Sequence, residues 1–262
     1  MNIPDRLTSD RFFHKAIIVG VCLVLGASVV SQLLMQLGGG DRDKPLDFSK
    51  QLAGYDDDFK KMAIFPKGLP PFISSGGLHY PEKAVFDLGL GLGGLVFWFL
   101  GLEIFLRTRA ELARQQASRA RHLFNGGQLL ATLLVGGSLV MTTRYPFDIS
   151  FLKHLFFATG IFYGSLAWGL LLILARSGLD RQLACCGWKL NRLRWVLLGV
   201  AVASFLLTAF LVRRGENNGA ALFEWLLAIS SQGLVLSLLP TLVVAAGSAE
   251  QPPVEGTPEG RH

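Results

Sequence analysis

The stretch AVFDLGLGLGGLVFWFLGLEIFL, residues 84–106, decides the fold. It runs for 23 residues with only two charges, Asp87 and Glu103, each close to one end. A helix needs about 20 apolar residues to cross the hydrocarbon of a bilayer. The stretch also holds glycines at 89, 91, 93, 94 and 101, the small residues that let membrane helices approach closely. Its reading is therefore a transmembrane helix.

Working outward, five further stretches have the same character: 16–37, 123–143, 151–174, 195–212 and 221–246. Span three, 123–143, is interrupted by Asn125 and Gln128, and span five, 195–212, is the shortest but carries no charge. None alternates with period two, which argues against a transmembrane barrel. The apolar run of 16–37 is longer than the roughly 7–15 residues of a signal peptide, and no A-x-A site follows it, so it reads as an uncleaved span. Composition agrees. Apolar residues make up 51% and charged residues 17%, against about 25% charged in soluble domains. Mean hydropathy is +0.43. Disorder and a disulfide scaffold are excluded, the latter because 262 residues hold three cysteines. The expected fold is all-α: a polytopic membrane bundle of six transmembrane helices over residues 1–246, with a long first extracytoplasmic loop at 38–83. The Pro-, Gly- and Glu-rich tail 247–262 reads as disordered and cytoplasmic.

Basic residues in short loops give the orientation. Arg107, Arg109, Arg114, Arg119 and Arg121 lie between spans two and three. Arg176, Arg181, Lys189, Arg192 and Arg194 lie between spans four and five, and Arg6, Arg11 and Lys15 precede span one. All fall on one side of a six-span chain, which puts both termini in the cytoplasm. The net charge of +6 is thus a membrane-protein signature and not that of a nucleic-acid binder. In the long loop, 41–61 is rich in Asp and Lys and reads as solvated. The segment FPKGLPPFISSGGLHYPEK, 65–83, is constrained by prolines and glycines and reads as packing on the bundle. Cys185 and Cys186 sit in a cytoplasmic loop, where palmitoylation and two unmodified thiols are the alternatives.

Ionisable residues inside spans are costly and point to function. Asp87 lies about one turn into span two, His154 near the start of span four, and Glu224 about one turn into span six. All three enter from the extracytoplasmic side to about 5–8 Å at 1.5 Å per residue. Asp87 shares a helical face with Gly91, Gly94 and Trp98, which predicts that it points into the bundle. The plain alternative is that Asp87 and Glu224 are acids at positive helix ends, with His154 or Arg144 as structural partners. Glu82, just after Pro81, fits that alternative best. Glu103 reads as a helix-surface ion pair with Arg107. Glycine pairs 89/93 and 160/164 read as packing surfaces.

The chemistry open to these groups is limited. His154 with a carboxylate makes an acid/base pair. A nucleophile is missing from this reading: there is no G-x-S-x-G elbow, and Ser74 and Ser75 read as turn residues. Metal ligation lacks the H-x-x-x-H or H-E-x-x-H spacing, and no cofactor is implied. A lipid headgroup needs only a wet pocket at headgroup depth, with Arg144 near a phosphate. The site expected from the residues is therefore a lipid pocket of Glu82, Asp87, His154, Glu224 and Arg144, non-catalytic in preference to enzymatic. The alternatives are a scaffold recruiting a cytoplasmic protein through its basic loops, and an intramembrane lipid acyltransferase or hydrolase using His154, Glu224 or Asp87.

Three stretches carry a resemblance: PPFISSGGLHYPEKAVFDLGL at 70–90, FDISFLKHLFFATGIFYG at 147–164 and FEWLLAISSQGLVLSLLP at 223–240. They are similar to the loop entering span two, the start of span four and the start of span six in the DRAM/FRAG/SFK family of six-span proteins. That family includes damage-regulated autophagy modulators and GPI lipid-remodelling proteins. The matched positions are Ile73, Ser74, Gly76, Pro81, Glu82, His154, Ala158, Glu224 and Trp225; Asp87 is outside the pattern. The resemblance implies a multi-pass protein of an endomembrane or the plasma membrane. It also implies a link to autophagy, phosphoinositide kinase recruitment, phospholipid asymmetry or GPI-anchor lipid remodelling, with membrane lipids as partners.

Overall fold

A computed structural model describes residues 4–38, 40–185 and 187–241; the tail 247–262 and Cys186 lie outside them. Among the described residues, six helices are long and apolar enough to cross a membrane: α1 Asp10–Gly38, α2 Glu82–Arg114, α3 Arg119–Arg144, α4 Phe147–Arg176, α5 Leu190–Arg213 and α6 Asn217–Thr241. The protein is an integral, multi-pass membrane protein. Each helix runs beyond its apolar core at one or both ends, because polar turns outside the hydrocarbon continue the same backbone ladder. Ser9 starts α1 by accepting the Phe12 N–H at 3.3 Å. Gly215, at φ +75°, provides the left-handed residue in the turn from α5 to α6.

Two helices are irregular where it matters. Residues Cys22–Gly26 of α1 form a π turn, a local bulge often found at functional positions. The Ser28 hydroxyl donates to the Val24 carbonyl there, at 2.7 Å. In α4, Ser150 departs from helical geometry. Gln51 repairs the break: its amide donates to the Asp148 carbonyl at 2.5 Å, and its oxygen accepts the Phe151 N–H at 2.8 Å.

Close approach is set by glycine. A Cβ on Gly89 would sit 2.0 Å from Ala27 Cβ, and one on Gly93 2.5 Å from a Val24 methyl, so α1 lies directly on this side of α2. Gly94 and Gly136 bring α2 against α3 in the same way. The polar pair of α3 is internally bonded: Asn125 donates to the Phe105 carbonyl at 2.9 Å, and Gln128 to Asn125 at 3.0 Å.

Residues 40–81 form a folded cap over one end of the bundle. Strands β1 (Leu46–Asp47) and β2 (Ile64–Phe65) pair antiparallel, with Leu46 opposite Phe65. Leu52, Ala63 and Phe65 make a small core with Phe147 and Phe151 of α4, and Phe48, Phe59 and Phe72 pack around it. This corrects the reading of 41–61 as a solvated stretch. Its charges are at the surface, but Leu46, Phe48, Leu52 and Phe59 are interleaved with them and turn inward.

At the opposite end, charge is buried. Arg176 makes a two-pronged contact with Asp180, both distances 2.8 Å, and donates to Thr108 at 2.9 Å. Arg194 reaches the same Asp180 at 2.5 Å and Ser237 at 2.8 Å. These bonds tie α2, α4, α5 and α6 together. Glu103 and Arg107, 2.7 Å apart, are equally internal. Glu103 accepts the Leu7 N–H at 2.9 Å, and Arg107 bonds Asp10 and the Thr8 carbonyl. The pair fastens the N-terminal segment to α2 and is no helix-surface pair.

Candidate functional site: two cavities sharing one wall

Under the cap, two cavities adjoin inside the bundle. One, of about 70 Å³, lies among α1, α2, α3, α4 and α6. The other, of about 140 Å³, lies between the cap and α4, α5 and α6. Five residues line both: Ser74, Ala158, Phe162, His154 and Glu224. Most of the remaining lining is aliphatic or aromatic. The π turn places Val24 and Leu25 on the first cavity, together with Ser28.

His154 is 7% exposed and Glu224 8%. The His154 ring packs edge-on to Phe147, with centroids 5.7 Å apart, and its Nδ1 lies 2.8 Å from the Tyr145 carbonyl oxygen. A carbonyl only accepts, so Nδ1 carries the proton and a neutral ring presents its lone pair at Nε2. Among the described residues Nε2 has no hydrogen-bond partner. Glu224 accepts the Ile73 N–H at 2.9 Å.

The segment 70–77 closes the site from the cap side. Gln32 of α1 donates to the Phe72 carbonyl at 2.5 Å, and Trp225 of α6 donates to the Pro71 carbonyl at 3.1 Å. The Ser75 hydroxyl bonds the Pro70 carbonyl. A Cβ on Gly76 would meet the Ser31 hydroxyl at 2.4 Å, so only glycine fits against α1 there. Deeper, Trp168 Nε1 and Gln232 Oε1 are buried without partners among the described residues. Both border a void of about 10 Å³, close to the smallest that holds one water.

Of the residues expected at the site, the structure brings His154 and Glu224 together and leaves three out. Asp87 lines neither cavity. Its carboxylate pairs with Lys83, one turn earlier, at 2.9 Å. One turn further along, a Cβ on Gly91 would meet nothing within 4 Å, and packing on that face begins only at Gly94, against Gly136 of α3. Glu82 is fully buried but bound by Arg42, at 2.7–2.9 Å, and so serves as the anchor of the cap. Arg144 is exposed at the end of α3. No Lys or Arg among the described residues lines either cavity, so the shared site lacks the cation that a phosphate needs. In the basic 107–121 stretch, Arg107 is spent on internal bonds and Arg121 donates to the Ala175 carbonyl at 3.0 Å. Cys185 lies half-buried in β3 (Ala184–Cys185), across from Trp188. Ser74, read in the sequence as a turn residue and singled out there only by the resemblance, also lines both cavities. Composition marks PPFISSGG as a turn, and only the tertiary bonds to Gln32, Glu224 and Trp225 turn it toward the cavities.

Fold and site together define a class: a six-helix membrane protein with a folded cap over one end and a buried His/Glu pair on an apolar cavity. Comparison with known families matches residues 52–240 to the Frag1/DRAM/Sfk1/Cwh43P N-terminal domain. The chain belongs to that family. Comparisons with curated proteins and with solved structures give no match.

Proposed function

We propose that the protein handles membrane lipid, with a hydrocarbon chain in the paired cavities and the lipid's polar junction at His154 and Glu224. One observation carries this reading. Two ionisable side chains from separate helices are buried on the same apolar cavity, at a cost that an ordinary packing role leaves uncompensated. The apolar lining suits acyl chain. The two polar groups suit an ester, amide or hydroxyl, which offers hydrogen bonds without net charge. Phosphate binding at this wall is not part of the reading. The basic loops at the other end support a cytoplasmic location for the termini, which puts the cap and cavities on the outer or luminal side. GPI-anchor lipid and other acylated lipids of the endomembrane system are the ligands the family points to.

The test is a lipid profile of cells lacking the protein, complemented with wild type, His154→Ala or Glu224→Ala. Wild type should restore the profile, and both variants should fail while reaching normal levels and eluting as folded protein in detergent. Restoration by both variants, or no lipid change on deletion, overturns the reading.

A further inference from the structure

We infer that Ser74 is a nucleophile for lipid acyl esters, with His154 as its base. The inference rests on the lipid-handling reading and adds a reaction to it. Three of the five residues in the wall shared by the two cavities are Ser74, His154 and Glu224. Side chains bearing a hydroxyl, an imidazole and a carboxylate thus line one wall where two apolar chambers adjoin. The neighbouring Ser75 is fully buried, with its hydroxyl committed to the Pro70 carbonyl. Ser74 lines both cavities, and its hydroxyl has no hydrogen-bond partner among the described residues. The two serines are adjacent in sequence but not equivalent.

His154 is set up as a base and not as a donor toward the cavity. Its Nδ1–H is held by the Tyr145 carbonyl at 2.8 Å. That bond fixes ring orientation and tautomer, the task that a carboxylate performs in a serine–histidine–aspartate triad. The lone pair of Nε2 is left to accept a proton. Glu224 is a positioning residue. By accepting the Ile73 N–H at 2.9 Å it fixes the backbone immediately before Ser74. Gln32 and Trp225 hold the two preceding carbonyls.

The reaction is acyl transfer. The Ser74 oxygen adds to the ester carbonyl carbon while its proton passes to His154 Nε2. The tetrahedral intermediate collapses, the carbonyl carbon–alkoxy bond breaks, and the departing alcohol takes the proton from His154. The acyl group is then esterified to Ser74. Water or the hydroxyl of a second lipid attacks it, giving its proton to Nε2, which returns it to the Ser74 oxygen. No oxidant, reductant or metal is needed. Chambers of about 70 and 140 Å³ on either side of the wall give the acyl chain and the alcohol portion separate apolar surroundings.

The experiment uses the full chain in detergent micelles with a fluorophosphonate, which phosphonylates an activated serine and expels fluoride. The modified residue is located by mass spectrometry of peptides. Label should appear on Ser74, disappear in Ser74→Ala and persist in Ser75→Ala. His154→Asn keeps a donor for the Tyr145 carbonyl but removes the base. It should slow labelling by about a hundredfold, the scale of general-base catalysis. Glu224→Ala removes the acceptor for the Ile73 N–H and should slow labelling. Absence of label on Ser74 in folded protein, or an unchanged rate in His154→Asn, overturns the inference. The complementation assay separates the two claims. If Ser74→Ala restores the lipid profile while His154→Ala does not, the nucleophile falls and lipid handling stands. If both variants restore it, both claims fall.

Discussion

At the scale of the residue, the strongest energetic constraint lies far from the cavities, at Asp180. Its carboxylate is 2% exposed and receives two guanidiniums, Arg176 at 2.8 Å and Arg194 at 2.5 Å. Burial alone would push its pKa up. The two arginines outweigh that and hold it below the usual carboxylate range. Removing the acid would leave two buried cations facing each other, so Asp180→Asn should cost about 3–5 kcal/mol, as for other broken buried pairs. The sign of the pH dependence follows. A group with a depressed folded pKa stabilises at every pH above its unfolded value, about 3.9, and stops doing so only as pH falls through the lower folded value. Thermal unfolding in detergent should therefore show a constant gap between wild type and Asp180→Asn from pH 7 to pH 5, closing only in stronger acid. A gap that already shrinks between pH 7 and pH 5 would contradict this assignment. None of these contacts was legible in the sequence. Charge in a loop reports the side of the membrane but says nothing of burial, so Arg176 and Arg194 showed only as basic residues between spans four and five.

At the scale of the element, glycine position separates packed from unpacked faces of one helix. Gly89 and Gly91 of α2 are two residues apart and look alike in the sequence. A Cβ on Gly89 would overlap Ala27 of α1, and one on Gly91 would meet nothing. Gly89→Val should destabilise by about 1–3 kcal/mol through overpacking, while Gly91→Ala should cost nothing or gain from its better helix propensity. Unfolding of both variants in detergent tests this, and equal losses would argue against the α1–α2 contact. The same comparison explains what periodicity revealed and what it missed. Twenty apolar residues in a row are a summed signal, so all six helices were visible. Which stripe of a helix meets a neighbour depends on the neighbour. Asp87 was therefore assigned to an inward face, whereas the structure pairs it with Lys83 at a level of α2 where Gly91 meets no neighbour. The cap was half legible: its prolines and glycines marked constraint, but Leu46, Phe48, Leu52 and Phe59 were hidden among charges. His154 and Glu224 were found because an ionisable group in an apolar run stands out against its surroundings. Ser74 does not stand out in this way, because a serine between prolines and glycines is ordinary.

At the scale of the whole molecule, one geometric fact and one electrostatic rule give a testable expectation for the arrangement in the membrane. Six crossings return the chain to the end where it began, so the N-terminal segment, the α2–α3 turn and the α4–α5 connection share one end, and the cap takes the other. The first end carries the arginines that the positive-inside rule assigns to the cytoplasm. Some of these are consumed internally, as Arg107 and Arg194 show. Arg109, Arg114 and Arg119 stay exposed and keep the bias. The expectation is that Lys67, exposed in the cap, is extracytoplasmic, and that Arg119, exposed at the start of α3, is cytoplasmic. With Cys22, Cys185 and Cys186 replaced by serine, single cysteines at 67 and 119 report this to a membrane-impermeant maleimide. In sealed cytoplasmic-side-out vesicles Arg119→Cys should label at once and Lys67→Cys only after detergent. In intact cells carrying the protein at the surface the order should reverse. Labelling of both sites without detergent in vesicles shown to be sealed would rule out the single crossing, α2, between them. The opposite order would place the Ser74–His154–Glu224 wall on the cytoplasmic leaflet, and with it the pool of lipid that the cavities meet.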